Sequence, residues 1–522
     1  MNDISEMLPK VLAVYLPQFH RTKDNDYWWG KGFTDWESVK KNHSYFPGHE
    51  APYTPVRDNY YDLSDIRVMQ QQSELAQQYG VDGFCFYHYY FKNGKKELEL
   101  PAENLLRHPE ISMPFCFIWA NESWVRSWSK FSGNVWGEQF EKCGRESKTG
   151  LLVEQDYGHE AEWKKHFRYL LPFFHDQRYL KIDKKPIFIF YRPLMIPCLR
   201  EMTDVWRLLA RQAGFPGIYL IGVNVDASLL GLDAALIYQP RTAIVDLNCQ
   251  GKASLKNHVR CFSYADVWKR CLDVEPYAMT KTYFMGLSGY DDTARRGQQG
   301  ECVIERSSMI FRKSLSSLIC KSKAAQNEFV FLNAWNEWGE GMYLEPDQRN
   351  GFAYLQAIKE AKEDAARQLS DTRIESLREL FSRDDGRRKE LQKLQQDIGR
   401  YAFFVQILTK WLECEREQKL NLHEWMRDVQ IGTVAIYGLG VLGRQLYQQL
   451  EKEGVHPSFG IDQYVGAYGE DFQIFRPEDH YPDVDAIIVT VYAASEVCAF
   501  LKEKVPAQII TIQDMIDKFW RA

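Results

Sequence analysis

Short apolar, β-branched and aromatic runs alternate with longer amphipathic stretches from the start of the chain to about residue 346, the pattern of successive βα units. Eight of these runs predict strands: Val11 to Pro17, Gly83 to His88, Phe115 to Ala120, Pro186 to Tyr191, Ile218 to Val223, Ala234 to Gln239, Thr282 to Leu287 and Phe329 to Trp335. Between several of them apolar positions recur at helical spacing, over Leu63 to Tyr79, Ala161 to Phe174, Asp204 to Ala213 and Ile304 to Ala325. Eight such units predict a (β/α)8 barrel with large insertions, closed by a helix over Gly351 to Leu369. Charge-rich helical sequence without Pro then runs to about Gln430, and it reads as a solvated helical connector. Beyond it, strands over Thr433 to Tyr437, Ser458 to Ile461, Ala486 to Thr490 and near Gln508 to Ile512 predict a small Rossmann-like α/β domain. The expected division is a barrel over 1–370, a connector over 371–430 and the small domain over 431–522.

Almost every predicted barrel strand ends in polar or aromatic residues. Examples are Gln18 and His20, His88 to Tyr90, Asn121 and Glu122, Tyr191 and Arg192, Gln239 and Arg241, Asp291 to Arg295, and Asn336 and Glu337. The C-terminal ends of barrel strands converge on one mouth, where substrate and catalytic groups sit. Loop polarity alone would account for the polar residues but poorly for the aromatic ones.

At 522 residues the chain exceeds what one core usually organises, which agrees with more than one domain. A net charge of -6 and the lack of any Lys/Arg-rich block argue against a nucleic-acid partner. Aromatic residues make up 14% of the chain, including 15 Trp and 29 Tyr, and that enrichment suits sugar rings, whose C–H faces stack on flat side chains. The eleven Cys show neither a C-x-x-C pair nor zinc-type spacing, so no disulfide framework or metal site is expected and a reducing compartment fits. The first residues lack a basic region before an apolar run, and no apolar run is long enough to span a bilayer. The expected setting is cytoplasmic, with no integral membrane segment.

The segment from Asn333 to Pro346 is the most informative. It follows an apolar strand, so Glu337 and Glu340 should emerge at the barrel mouth, with Glu345 close by. Glycosyl transfer between oxygens needs one group to protonate the departing oxygen and another to generate or stabilise the attacking one, and two carboxylates of divergent pKa can do both. A second pair, Glu122 with Glu337, comes from different strands and could serve a retaining glycosidase. Otherwise Glu122 binds substrate hydroxyls or pairs with Arg126. The third motif, Gly438-Leu-Gly-Val-Leu-Gly443 with Asp462 after the next strand, has the arrangement of a dinucleotide fingerprint. It points to the fold more strongly than to a bound nucleotide, since such turns also serve to pack helix against sheet. No cofactor is expected for the barrel.

The stretches Val14-Tyr-Leu-Pro-Gln-Phe-His20, Trp28 to Trp36, Gly83 to Tyr90, Trp119-Ala-Asn-Glu122 and Asn336-Glu-Trp-Gly-Glu-Gly341 resemble the WbsX-type proteins of bacterial polysaccharide loci. Those proteins are often labelled glycosyltransferases and are similar in turn to glycoside hydrolase family 99, the endo-α-mannosidases and mannanases. The resemblance covers about residues 10 to 350 and implies that Glu337 and Glu340 are the catalytic pair. It further implies a neighbouring-group mechanism in which Glu337 takes the proton of the sugar 2-hydroxyl, Glu340 protonates the leaving oxygen, and a 1,2-anhydro sugar results. Gly339 stands where that hydrolase family has His, which bears on substrate identity. Tyr15, His88, Tyr89, Trp119, Asn121, Glu122, Tyr191, Asn336 and Trp338 are the substrate-binding candidates. The expected role is cleavage or transfer of α-linked, mannoside-like units in surface polysaccharide (O-antigen or capsule) metabolism, with polysaccharide-assembly proteins as partners. The alternatives are a glycosyltransferase of O-antigen and lipopolysaccharide synthesis and a catalytically silent glycan-binding scaffold.

Overall fold

The computed structural model describes residues 8–125, 151–370, 403–417, 419–463, 472–492 and 494–521. They divide into two compact units, Met1–Asp385 and Gly386–Ala522.

In the first unit eight parallel strands close into a barrel. They are β1 (Lys10–Tyr15), β2 (Gly83–Tyr90), β3 (Phe115–Trp119), β4 (Lys185–Phe190), β5 (Tyr219–Val223), β6 (Ala234–Ile237), β7 (Lys281–Leu287) and β8 (Phe329–Asn333). Each pairs with its neighbours in sequence, and β1 pairs with both β2 and β8, with Leu12 opposite Gly83 and Lys10 opposite Phe329. All eight predicted strands form, and the fold is the (β/α)8 barrel that their spacing suggested. The strands are buried nearly end to end because one face fills the barrel interior and the other meets the surrounding helices.

The expected helical stretches become α1 (Ile66–Gln78), α2 (Glu160–His175) and α3 (Leu199–Gln212); α4 (Arg241–Cys249), after β6, is not among them; α5 (Ser308–Ala324) and the closing helix α6 (Ala353–Ser370) complete the expected set. Asp65 caps α1 by accepting the Arg67 amide at 3.0 Å, and Ser307 caps α5 through the Ile310 amide. Buried Phe311 and Leu315 of α5 share the core with Leu355 and Ile358 of α6, while Arg312 bridges Asp364 and Glu360 along the outside. The polar faces of these helices thus turn to solvent, and their apolar stripes close the barrel wall.

The second unit is built on a five-stranded parallel sheet: β9 (Val434–Tyr437), β10 (Phe459–Ile461), β11 (Ile474–Phe475), β12 (Ala486–Val489) and β13 (Gln508–Thr511). Their spatial order is β11-β10-β9-β12-β13, the doubly wound order in which the chain reverses direction beside its first strand. The expected connector is drawn differently here. Residues 371–402 lie outside the described residues, whereas 403–416 and α7 (Leu422–Asp428) are helices of the second unit. Ile407, Trp411, Leu422 and Met426 pack with Val434, Ile436, Leu446 and Met515, so this stretch is core and not a solvated spacer. Its buried residues Ile407, Trp411 and Cys414 recur at helical spacing, and Val405 and Leu412 are exposed. Among the described residues no helix is long and apolar enough to cross a membrane.

Candidate functional site

Beyond β8 the chain folds into a small hairpin in which Asn336–Glu337 pairs antiparallel with Met342–Tyr343. A single helical turn, Trp338–Glu340, links the two arms, and Gly341 closes it at φ 60°. A Cβ on Gly341 would lie 2.9 Å from the Cβ of Asp291, so both conformation and space require glycine. The hairpin is stitched to the barrel from behind. The Asn336 side chain accepts the Leu16 amide at 2.7 Å and donates to the Leu16 carbonyl at 3.0 Å, imitating a strand partner at the end of β1. Trp338 stacks on Tyr343 with ring centroids 3.7 Å apart, and its Nε1 donates to Glu345 at 2.7 Å. Glu345 also accepts from Tyr61 and Gln72, and burial pushes its carboxyl up to about 7 against those hydrogen bonds.

This support places Glu337 and Glu340 in a cavity of about 500 Å³ at the barrel mouth, lined also by Tyr87, Tyr89, Tyr191, Tyr238, Trp29 and Glu122. Arg295, in the turn that follows β7, reaches between the acids. Its Nη2 donates to Glu337 at 2.9 Å and lies 3.3 Å from Asp35, and its Nη1 donates to Glu340. Three carboxylates therefore share one guanidinium. Burial pushes Glu337 up to about 8, Arg295 works against that rise, and the neighbouring Glu340 and Asp35 charges add to it. Burial disfavours the Arg295 charge, yet Asp35, Glu340 and Glu337 together hold the guanidinium protonated well above its ordinary range. Gly339 faces the same cluster: a Cβ there would meet Asp35 Oδ2 at 2.6 Å and Arg295 Nε at 3.2 Å.

The sequence-derived candidates separate into two groups. Glu337, Glu340, Glu122, Tyr89 and Tyr191 line the cavity. Tyr15, His88, Trp119, Asn121, Asn336 and Trp338 do not. Strand parity explains His88: Tyr87 and Tyr89 point into the mouth, so the residue between them points to the helix layer. There it bonds His166 at 2.7 Å, and burial lowers it to about 3, which keeps it neutral. Trp119 packs on His166 and Trp206 and donates to the Tyr90 carbonyl. Tyr15 is fully buried and donates to Gln72 at 2.6 Å. Asn121 holds the loop after β4 by accepting the Arg192 amide and donating to the Arg192 carbonyl. Glu122 pairs with Arg192 at 2.8 Å, and Arg126, its suggested partner, lies outside the described residues.

Reading the sequence for site residues missed Arg295, Asp35, Tyr87 and Tyr238. Period-two reading of β2 would have found Tyr87, whose hydroxyl lies 2.5 Å from that of Tyr238. Asp35 sits inside the Trp28 to Trp36 stretch and Arg295 among the strand-end residues of β7, but nothing local announces that they meet.

In the second unit Gly438, Gly440, Gly443 and Asp462 come together at the turn from β9 into α8 (Val441–Lys452). Gly438 has φ 89°, and a Cβ on Gly443 would fall 2.0 Å from the Gly438 carbonyl, so both are needed for the turn and for close helix–strand approach. Asp462 Oδ2 accepts the Leu439 amide at 2.6 Å, which commits one backbone donor of the turn. Among the described residues no group of three or more His, Cys, Asp or Glu is arranged to hold a metal.

A family model described as "Glycosyltransferase WbsX" matches residues 11–358. The uncharacterized protein WxcX of Xanthomonas campestris pv. campestris, strain ATCC 33913, is 34% identical over 369 residues, 69% of this chain and 50% of the relative, and WxcX of strain B100 matches to the same extent. The chain thus spans about half the length of the curated relatives it matches. Among solved structures, a GH99 endo-α-mannosidase from Bacteroides thetaiotaomicron is 12% identical, covering 69% of this chain and 98% of its own, with a TM-score of 0.41. A glycoside hydrolase-like protein is 13% identical over 68% of this chain and 94% of its own, with a TM-score of 0.43.

Proposed function

The chain belongs to the WbsX glycosyltransferase family, and from that premise we propose that it is a carbohydrate-active enzyme cleaving or transferring α-linked, mannoside-like units of a bacterial surface polysaccharide. The observation that carries the reading is the placing of Glu337 and Glu340, three residues apart, in one aromatic-lined cavity and on one guanidinium. Two acids so close on one turn are poorly placed to attack opposite faces of an anomeric carbon. They are suited to adjacent positions on a sugar, Glu337 as base toward the 2-hydroxyl and Glu340 as acid toward the glycosidic oxygen. A carboxyl raised to about 8 holds its proton more tightly than an ordinary glutamate, and once ionised it is correspondingly the stronger base. Arg295 couples the two, because a proton gained by one carboxylate leaves more of the guanidinium charge to the other. The 1,2-anhydro product of such a step is opened by water or by a sugar hydroxyl, so the same site serves hydrolysis and transfer.

Glu337→Gln and Glu340→Gln should each abolish turnover of an α-mannoside while sparing its binding. A substrate methylated at the 2-oxygen should be bound but not processed, and its turnover would overturn the role of Glu337. The pair of Glu122 with Glu337 is the second reading, since both line the cavity. Against it, Glu122 is half-exposed and spends its carboxylate on Arg192. An inactive Glu122→Gln enzyme beside an active Glu340→Gln enzyme would promote it. Retained binding without turnover of any glycan would favour a silent scaffold.

A further inference from the structure

The rim of the cavity on the β6 and β7 side carries charge that the carboxylate chemistry does not use. Arg241, at the start of α4, and Arg296 both line the cavity, with side chains 63% and 54% exposed. Arg241 donates to Glu301 Oε2 at 2.9 Å, Arg260 to Glu301 Oε1 at 2.5 Å, and Arg296 Nε lies 3.2 Å from Asp292 Oδ2. Asp292 and Glu301 are joined in turn: the Asp292 amide donates to the Glu301 carbonyl at 3.1 Å, and the Glu301 amide to Asp292 Oδ1 at 2.7 Å. Three guanidinium groups therefore stand on two carboxylates. Burial pushes the Asp292 carboxyl up to about 7, with Arg296 opposing that rise.

In these pairs the carboxylates are buried and the guanidinium ends are half-exposed, so the arginines neutralise Glu301 and Asp292 from the solvent side. The pairs hold two half-exposed guanidinium groups on the cavity lining, where each has planar N–H donors suited to an anion. The cavity is moreover polarised. Among the described residues Asp35, Glu337 and Glu340 set three acids on Arg295, whereas the other cluster sets three guanidinium groups on two acids, and the consecutive residues Arg295 and Arg296 serve the two clusters. A neutral sugar gains nothing from such a field, whereas an anionic one is turned so that its charge lies away from the three carboxylates.

We propose that Arg241 and Arg296 form a subsite for an anionic substituent of the glycan, a sugar carboxylate or a phosphate. The assignment rests on the reading of the cavity as a glycan site and narrows its substrate class to acidic sugars. Calorimetric titration of the full chain with mannuronate, mannose 6-phosphate and mannose at fixed ionic strength tests it. Each anionic probe that fits should bind about tenfold more tightly than mannose, and added salt should erase the difference. The carboxylate and phosphate arms distinguish the two sources. The Arg241→Gln, Arg296→Gln double variant should lose the preference and keep the mannose affinity, while the corresponding Lys variant should keep part of it. If the Gln pair fails to fold, the single Arg296→Gln variant carries the comparison. Equal affinity for charged and neutral probes, no binding of either anion, or a preference that survives both substitutions would overturn the proposal. Turnover does not enter this test, so a failure of the carboxylate mechanism, read from the Glu337→Gln enzyme, is separable from a failure of the anion subsite.

Discussion

Replacing Glu337 by Gln removes a buried ionisable group and keeps its shape and its acceptor oxygen toward Arg295. In the folded protein this carboxyl titrates at about 8, above its ordinary 4.5, chiefly because it is buried. Its proton is therefore held more tightly in the folded chain than in the unfolded one. The associated stability is fully present below about pH 4.5 and is lost as pH rises through about 8. At about 1.4 kcal/mol per tenfold change in proton affinity the ceiling is on the order of 5 kcal/mol. Relaxation and water entry around the charged cluster should leave about 2 kcal/mol of it. The Gln variant has no such proton to lose, so it should gain on the wild type by about that amount between pH 5 and pH 9. The assay is denaturant unfolding of both proteins at three pH values, with the barrel transition assigned from a chain ending at Asp385. Parallel stability curves, or a Gln variant that falls behind as pH rises, would refute the account of a proton trapped by burial.

Three further outcomes follow from the same geometry. If Glu337 acts as base, kcat/KM should rise with pH through about 8; a fall through that pH would make it the acid and exchange the two roles. Gly339→Ala should push Asp35 off Arg295, lowering kcat by about 10-fold or more and stability by about 1–3 kcal/mol; unchanged kinetics would show that the cluster yields without cost. A chain ending at Asp385 should be folded and should bind glycan, whereas one ending at Gln430 should aggregate by exposing Ile407, Trp411 and Leu422; equal solubility in gel filtration would contradict the boundary.

The barrel was legible because burial on both faces makes each strand a continuous apolar run, and such runs survive without any knowledge of partners. The proposed catalytic pair was legible for a local reason, since Glu337 and Glu340 share one turn just beyond a strand. The rest of the site depends on contacts between distant segments. Asp35 and Arg295 are separated by most of the barrel, and nothing in either neighbourhood encodes their meeting on Glu337. His88 and Trp119 misled for the opposite reason, because a polar or aromatic residue at a strand end can face the helix layer and satisfy itself there. The 403–428 stretch carried its core stripe openly in Ile407, Trp411, Leu422 and Met426, but which unit it packs on depends on distant residues such as Leu446 and Met515.

The pairing of Asn336 with Leu16 ties together residues 320 positions apart and lies on the seam where the last strand of the barrel meets the first. A chain emerging from synthesis has β1 long before it has β8, and until the seam is sealed the hairpin lacks its Leu16 anchor and has its contacts on the β7 side, where the Asp291 amide donates to the Glu340 carbonyl at 2.6 Å. If Glu337 and Glu340 act as proposed, the contact that closes the circle is also the one that completes the support of the site, so loss of the Asn336 anchor should cost activity as well as stability.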